Sequence, residues 1–468
     1  MYISRSLIHM KKYILGLSVL ISFFIQDSFA QEKEHHSRPN IIFILTDDQR
    51  YDALGAAGNN IIHTPNIDSI AQRGVLFRNA YVTTAICCVS RASILTGQYM
   101  SRHKIEDFAT PFSDAAIQQT YPLLLRSAGY NVGFIGKFGV GAKLPAAALF
   151  DYWNCSMDFD QKYYLDDSNG KPVHNTDSVG SSAIDFLQQY AGKEKPFCLS
   201  ISFKAPHELD GHPPTYPVQQ KFLNLYSDVN IPEPLTAGLK YWNSFPDFFR
   251  TDNNIGRERW KPLFSTHALY LQTVKSYYRL ISGVDDVVGR IVHTLRQLNI
   301  DRNTVIIFMG DNGFCLGEHG LQGKWYGFEE SIRVPLLLYH PGSKQLKGVK
   351  DDRIVLNVDI APTILSLAGI SALPGMQGKS LFDIMDGKYK RDDFFYQHTF
   401  LGSPRLPKVE GVVSTTFKYL QYTEHGYEEL YDLKNDPHET KNLASDKKYK
   451  KQLAQMRERY NYLKQEAK

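Results

Sequence analysis

Five apolar runs, each stopping at a functional-looking residue, constrain this chain more than any other feature. Ile41 to Leu45 ends at Thr46-Asp47-Asp48, Val132 to Ile135 at Gly136-Lys137, and Phe197 to Phe203 at Lys204-Ala205-Pro206-His207. Thr304 to Met309 ends at Gly310-Asp311-Asn312, and Val334 to Tyr339 at His340-Pro341-Gly342. Runs rich in β-branched residues and lacking polar alternation predict strands buried on both faces, as in a parallel sheet. Helical stretches lie between them, at Ile67 to Arg73, Pro122 to Ala128 and Tyr270 to Leu298. The predicted fold class is α/β, with a central, mostly parallel sheet flanked by helices. Open sheets of this kind bind ligands beyond the carboxyl ends of their strands. Four of the runs end in Asp-Asp, Lys, His and Asp-Asn, which predicts one converging polar site.

The texture changes between residues 371 and 390. Asp392 to Tyr396, Val409 to Ser414 and Thr416 to Tyr422 are short and alternating, and a closing helix follows from Lys447 onward. Residues 31–375 are therefore expected to form a large catalytic domain, and 376–468 a smaller C-terminal α+β subdomain with an antiparallel sheet. The stretch from Glu208 to Phe264 is long for a connection and predicts an ordered insertion near the site. Residues 1–30 read as a signal peptide: Met10-Lys11-Lys12 is positive, Ile14 to Ile25 is apolar, and Ser28-Phe29-Ala30 is a cleavage site. The apolar run is too short for a stable span. The expected product is secreted, periplasmic or extracellular, without a stable membrane anchor. A net charge of +4 over 468 residues, with no Lys/Arg stripe, gives no reason for a nucleic-acid partner. Five cysteines do not make a disulfide scaffold, and the odd count leaves at least one thiol over.

Three constellations carry chemistry. Cys87-Cys88-Val89-Ser90-Arg91 leads into Ala92 to Gly97, and a helix starting here puts Cys87 and Arg91 on one face. A helix N-terminus beside a guanidinium favours an anion. An ordinary helix start with a buried cysteine pair fits the same residues. Asp47, Asp48, Asp311 and Asn312 offer hard oxygen ligands that suit one divalent cation such as Ca²⁺ or Mg²⁺. Helix capping explains one acidic residue at each strand end, but explains the doubled pairs poorly. Arg91, Lys137, Lys324 and His207 supply positive charge for a tetrahedral anion whose ester bond breaks.

In this order and spacing the chain resembles the formylglycine-dependent (type I) sulfatases of the alkaline phosphatase superfamily, carbohydrate sulfatases among them. The resemblance runs from about Arg38 to Ala444. Its further pieces are Gly323-Lys324, Arg333-Val334-Pro335, Val358 to Thr363, and Glu429 to Leu433 with Asp436-Pro437. It implies a large alkaline-phosphatase-like domain. It also implies that a formylglycine-generating maturation enzyme oxidises Cys87 to the nucleophile precursor, Cys88 being the variable second position of the motif. By resemblance, Asp47, Asp48, Asp311 and Asn312 bind Ca²⁺, Arg91 and Lys137 hold the nucleophile and sulfate, Lys324 contacts sulfate oxygens, and His207 protonates the leaving oxygen. The implied reaction is covalent catalysis with a built-in release of sulfate. Two positions depart from the family. Val89 stands where Pro or Ala is usual, and Gly139 where a histidine thought to assist release is usual; His319 is the candidate substitute.

The expected function is hydrolysis of sulfate esters on a carbohydrate. A phosphoesterase of the same superfamily is disfavoured by the cysteine at the nucleophile position. A non-catalytic binder of sulfated glycans is kept open by Gly139 and Val89. Candidate substrate contacts are His319, Trp325, His398, His212 and Arg405, together with Trp242, in segments expected to approach the site. Trp and His side chains can stack on or hydrogen-bond to a sugar, while core packing fits each Trp at least as well.

Overall fold

The computed structural model describes residues 38–156, 162–167 and 169–468. The predicted signal peptide, residues 1–30, lies outside them. The main sheet has eight strands: β1 (Asn40–Asp47), β2 (Val75–Tyr81), β3 (Asn131–Lys137), β4 (Tyr152–Ser156), β5 (Phe197–Pro206), β6 (Thr304–Gly310), β7 (Leu336–Tyr339) and β8 (Val349–Leu356). Their order is β8-β2-β7-β6-β1-β5-β3-β4. Seven run one way, and β7 opposes both of its neighbours. Every residue of β1, β5 and β6 is buried, as their unbroken apolar runs require. The fifth run is shorter than its sequence predicts. Pro335 has no N–H for the ladder, so the strand begins at Leu336.

Helices cover both faces: α1 (Pro65–Arg73), α2 (Cys87–Thr96), α3 (Tyr121–Ser127), α4 (Asn175–Tyr190), α5 (Ile255–Phe264), α6 (His267–Gln297), α7 (Ile360–Leu367) and α8 (Lys450–Glu466). Alternate residues of a strand point to opposite faces. Ile42, Ile44, Leu199 and Ile201 accordingly share one core with Ile67 of α1, Phe186 of α4 and Leu280 of α6. Ile41, Phe43 and Leu45 pack in the other with Ala92 of α2, Leu123 of α3 and Ile364 of α7. Each such buried Ile, Leu or Phe side chain contributes about 2 kcal/mol of transfer free energy.

A second sheet, antiparallel throughout, contains β9 (Asp393–His398), β10 (Val409–Ser414), β11 (Phe417–Tyr422) and β12 (Tyr427–Asp432) in chain order. One face carries α8, with Phe395, Val412 and Tyr419 against Leu453, Met456 and Tyr460. The other face places Phe394, Tyr396 and Leu420 in the larger core. Lys418 of β11, fully buried, meets Glu329 at 2.9 Å and Glu439 at 2.7 Å. Among the described residues, no helix is long and apolar enough to cross a membrane.

Candidate active site

The four polar strand ends meet because β6, β1, β5 and β3 are consecutive neighbours in the sheet. Their carboxyl ends present Asp311 and Asn312, Asp47 and Asp48, His207, and Lys137. Adjacent residues of a strand normally face opposite ways, yet Asp47 and Asp48 serve one site. The chain turns at Asp48, whose φ of 63° lies in the left-handed region that Asp tolerates. Cys87 is the first residue of α2 and only 2% exposed. The Trp325 amide donates to the Ala85 carbonyl at 3.1 Å, which ties the Lys324 loop to the start of that helix.

Each fixed cation is seated on a carboxylate. Arg91 Nε donates to Asp311 Oδ2 at 2.8 Å, and Arg91 Nη1 to the Lys137 carbonyl at 2.7 Å and Ser202 Oγ at 2.5 Å. Lys137 pairs with Asp47. Lys324 Nζ reaches both Asp48 oxygens, at 2.7 and 2.8 Å. Asn312 Nδ2 donates to Asp48 Oδ1 at 2.6 Å. His207 Nδ1 donates to the Glu208 carbonyl at 2.6 Å, and Nε2 points to Asp48 Oδ2 at 3.5 Å. Glu208, fully buried, takes Arg259 Nη1 at 2.5 Å and Gln322 Nε2 at 3.3 Å.

Burial sets the electrostatics. It pushes the Asp47 carboxyl up, but Lys137, His207, Arg91 and Lys324 together hold it well below the usual carboxylate range. Burial dominates at Asp48 and raises it against the pull of Lys324. Burial and the Asp47 charge push Asp311 up to about 7. Burial would lower Lys324, but Asp48, Cys87 and Asp47 leave its ammonium raised, so it stays charged at any ordinary pH.

The oxygen set fits a hard divalent cation. Asp47 Oδ1 and Asn312 Oδ1 are buried and accept no hydrogen bond from any described residue. Asp47, Asp48 and His207 each offer a ligand atom within 4.8 Å of the others. Carboxylate and amide oxygens are what Ca²⁺ and Mg²⁺ prefer, and a cation offsets the mutual repulsion of three buried carboxylates. A cation held at a hundredfold over its Kd stabilises a fold by about 2.7 kcal/mol. Chelation should therefore lower the Tm by several degrees, with recovery on adding Ca²⁺. A thermal scan that ignores chelator would remove the cation from this site.

Gly139 is where the family resemblance expects histidine, and the structure gives a reason for glycine. Its φ is 68°, and an added Cβ would lie 2.8 Å from Arg91 Cδ and 3.2 Å from Lys137 Cε. Left-handed backbone costs an L-residue about 1–2 kcal/mol, and the clash would move the two cations that share this corner. Gly139→Ala should lower kcat about tenfold by the shift of Arg91, and Gly139→His more. A gain of sulfate release by Gly139→His would contradict that view.

The predicted substrate contacts separate into two groups. His212 and Arg405 line a cleft of about 540 Å³ with Asp210, Ile255, Glu258 and Arg259. Trp325 does not line it; it is 7% exposed, with the Arg259 guanidinium 5.7 Å from its ring. His319 and His398 are buried and do not line this cleft. His319 lies flat on Phe328, ring centroids 4.1 Å apart, and burial lowers it to about 4. His319 is enclosed among Phe328, Phe245 and Tyr241. His398 is fully buried, on the face of β9 that packs into the larger core, and burial lowers it to about 3. Trp242 packs on Phe245 and Phe249 as a core residue. Glu208, Arg259 and Ser202 were not singled out by sequence reasoning. Glu208 had adjacency to His207 as a signal, and Arg259 its place in the long insertion.

A mostly parallel sheet with acidic oxygens, three buried cations and a helix-start cysteine at adjacent strand ends defines a hydrolytic centre for an anionic ester. The Sulfatase family model matches residues 39–370, and a second, described as N-sulphoglucosamine sulphohydrolase, C-terminal, matches residues 317–466. The chain belongs to the sulfatase family, within the alkaline-phosphatase-like superfamily, and is a sulfuric ester hydrolase. It is similar to an N-acetylglucosamine-6-O-sulfatase of Bacteroides thetaiotaomicron, 28% identical over 91% of this chain and 86% of that one. An N-acetylglucosamine-6-sulfatase of Capra hircus is 30% identical over 87% of this chain and 80% of its own. A solved structure in complex with its substrate, D-glucosamine-2-N,6-O-disulfate, superposes with a TM-score of 0.78 at 27% identity, covering 92% of this chain and 98% of that one.

Proposed function

We propose that this chain hydrolyses sulfate esters on a carbohydrate, using a formylglycine made from Cys87 and one Ca²⁺ held by Asp47, Asp48, Asp311 and Asn312. The observation that carries the reading is the buried cluster at four adjacent strand ends, where Arg91, Lys137 and Lys324 each sit on an acidic residue beside the start of α2. Names of relatives support an amino-sugar sulfate. When present, formylglycine supplies a hydroxyl nucleophile and the cation supplies charge to polarise it and the sulfate. Arg91, fixed by Asp311 and Ser202, holds the anion's orientation. Lys324, charged and seated on Asp48, offsets charge on sulfate oxygens. His207 donates its Nδ1–H to the Glu208 carbonyl, so the doubly protonated imidazolium would deliver its Nε2 proton to the leaving oxygen and remain as the Nδ1–H tautomer. Residues 1–30 support export, and an extracellular sulfatase among the relatives agrees with it.

The test is protein purified from its native host. Peptide mass spectrometry at residue 87 should show the aldehyde or its hydrate, and sulfate should be released from a panel of sulfated glycans. A thiol at residue 87 in all of that protein would sink the reading and favour a glycan binder.

A further inference from the structure

Arg259 separates the catalytic centre from the cleft beside it. One nitrogen meets Glu208, next to His207, at 2.5 Å, and the other meets Asp210, in the cleft wall, at 2.9 Å. Its charge is thus fully answered by carboxylates. The cleft retains two more charges, Glu258 and Arg405, both exposed and without an ion-pair partner among the described residues. The cleft lining is therefore charge-balanced, Arg259 and Arg405 against Asp210 and Glu258.

That count decides what the cleft can take. A pocket for a second sulfate or a uronate needs surplus positive charge. Here there is no such surplus, and Asp210 and Glu258 would repel a second anion. A sugar hydroxyl both donates and accepts. An unpaired carboxylate beside an unpaired guanidinium meets vicinal hydroxyls from both sides, with charge-assisted bonds. Ile255 and the prolines of the cleft give an apolar wall for the ring's C–H face.

The segment carrying Arg405 is held in advance. The Ser403 and Lys408 amides donate to Glu424, at 3.0 and 2.8 Å, and Ser403 Oγ lies 2.6 Å from His425 Nε2. The Ile255 amide donates to the Arg405 carbonyl at 3.2 Å. Ordering before binding reduces the entropy lost on binding.

We infer that this cleft is a specificity site for an uncharged, hydroxyl-bearing part of the substrate, with Glu258 accepting and Arg405 donating. The preferred substrate is then a glycan sugar with a single sulfate and no second anion next to it. This inference rests on the sulfatase reading above.

The experiment compares three substrates with protein matured in its native host: glucosamine carrying one sulfate ester, the same sugar with an added N-sulfate, and an aryl sulfate that leaves the cleft empty. The monosulfated sugar should be favoured over the disulfated one by about tenfold or more in kcat/KM, a tenfold ratio being about 1.4 kcal/mol. Glu258→Gln should narrow that ratio. Arg405→Ala should raise KM for the monosulfated sugar about tenfold with much less effect on its kcat, and Arg405→Lys should restore part of the loss. Preference for the disulfated sugar, or sugar kinetics indifferent to both variants, would overturn the cleft assignment while sulfate release still stands. Absence of release from all three substrates would instead overturn the sulfatase reading, and the cleft assignment with it.

Discussion

Cys87→Ala should abolish sulfate release, with kcat lower by about 10⁴-fold or more, the scale seen when a covalent nucleophile is removed. The reason is positional. Cys87 opens α2 beside Lys324, whose ammonium it helps to raise, and Arg91 four residues on is seated on Asp311. No other side chain on α2 shares that place. Cys88 is the matched control: it is fully buried and packs in the larger hydrophobic core. Cys88→Ala should cost about 1 kcal/mol of stability and keep most of the activity. Both variants should melt within a few degrees of the wild type, so a lost rate will report chemistry rather than unfolding. Sulfate release by Cys87→Ala, or its loss in a folded Cys88→Ala, would move the nucleophile elsewhere.

The central sheet was legible because its signal is local. Unbroken apolar runs such as Phe197 to Phe203 announce strands buried on both faces, and their last residues announce the site. The neighbour order β6-β1-β5-β3 that brings Asp311, Asp47, His207 and Lys137 together is not a local property. It had to be inferred from the general rule for strand ends. The C-terminal strand Tyr427–Asp432 was seen only as a motif, since Glu428 and Glu429 dilute its alternation. Side-chain fate was the least legible part. His319 and His398 have the chemistry of sugar contacts, but the fold places one flat on Phe328 and the other inside the core. Arg405 and His212, no more conspicuous in sequence, come to one cleft across some 190 residues of chain. Gly139 was legible as a departure but not as a necessity, because the close approach of Arg91 Cδ appears only in three dimensions.

His207→Ala should lower kcat by about 10²–10³-fold on a sugar sulfate, within the range for losing a general acid, and by less than about tenfold on an aryl sulfate. The contrast follows from the leaving groups. A phenol has a pKa of about 10 or below, so the oxygen departs as an anion with little help. A sugar hydroxyl is far less acidic and needs its proton during bond cleavage. His207 is placed to give one from Nε2 when doubly protonated: the Glu208 carbonyl accepts the Nδ1–H, Arg259 and Gln322 hold the Glu208 carboxylate, and Tyr163 donates to the His207 carbonyl. Turning the imidazole breaks its Nδ1 bond to the Glu208 carbonyl. Nε2 also lies near Asp48, 3.5 Å away, and His207 can be grouped with Asp47 and Asp48 as a cation ligand. The two roles predict different data. A lost acid penalises only the poor leaving group, whereas a lost ligand slows both substrates alike and lowers the Tm as chelation does. Equal losses on the two substrates would therefore assign His207 to the cation, leaving the leaving oxygen to be protonated by another group.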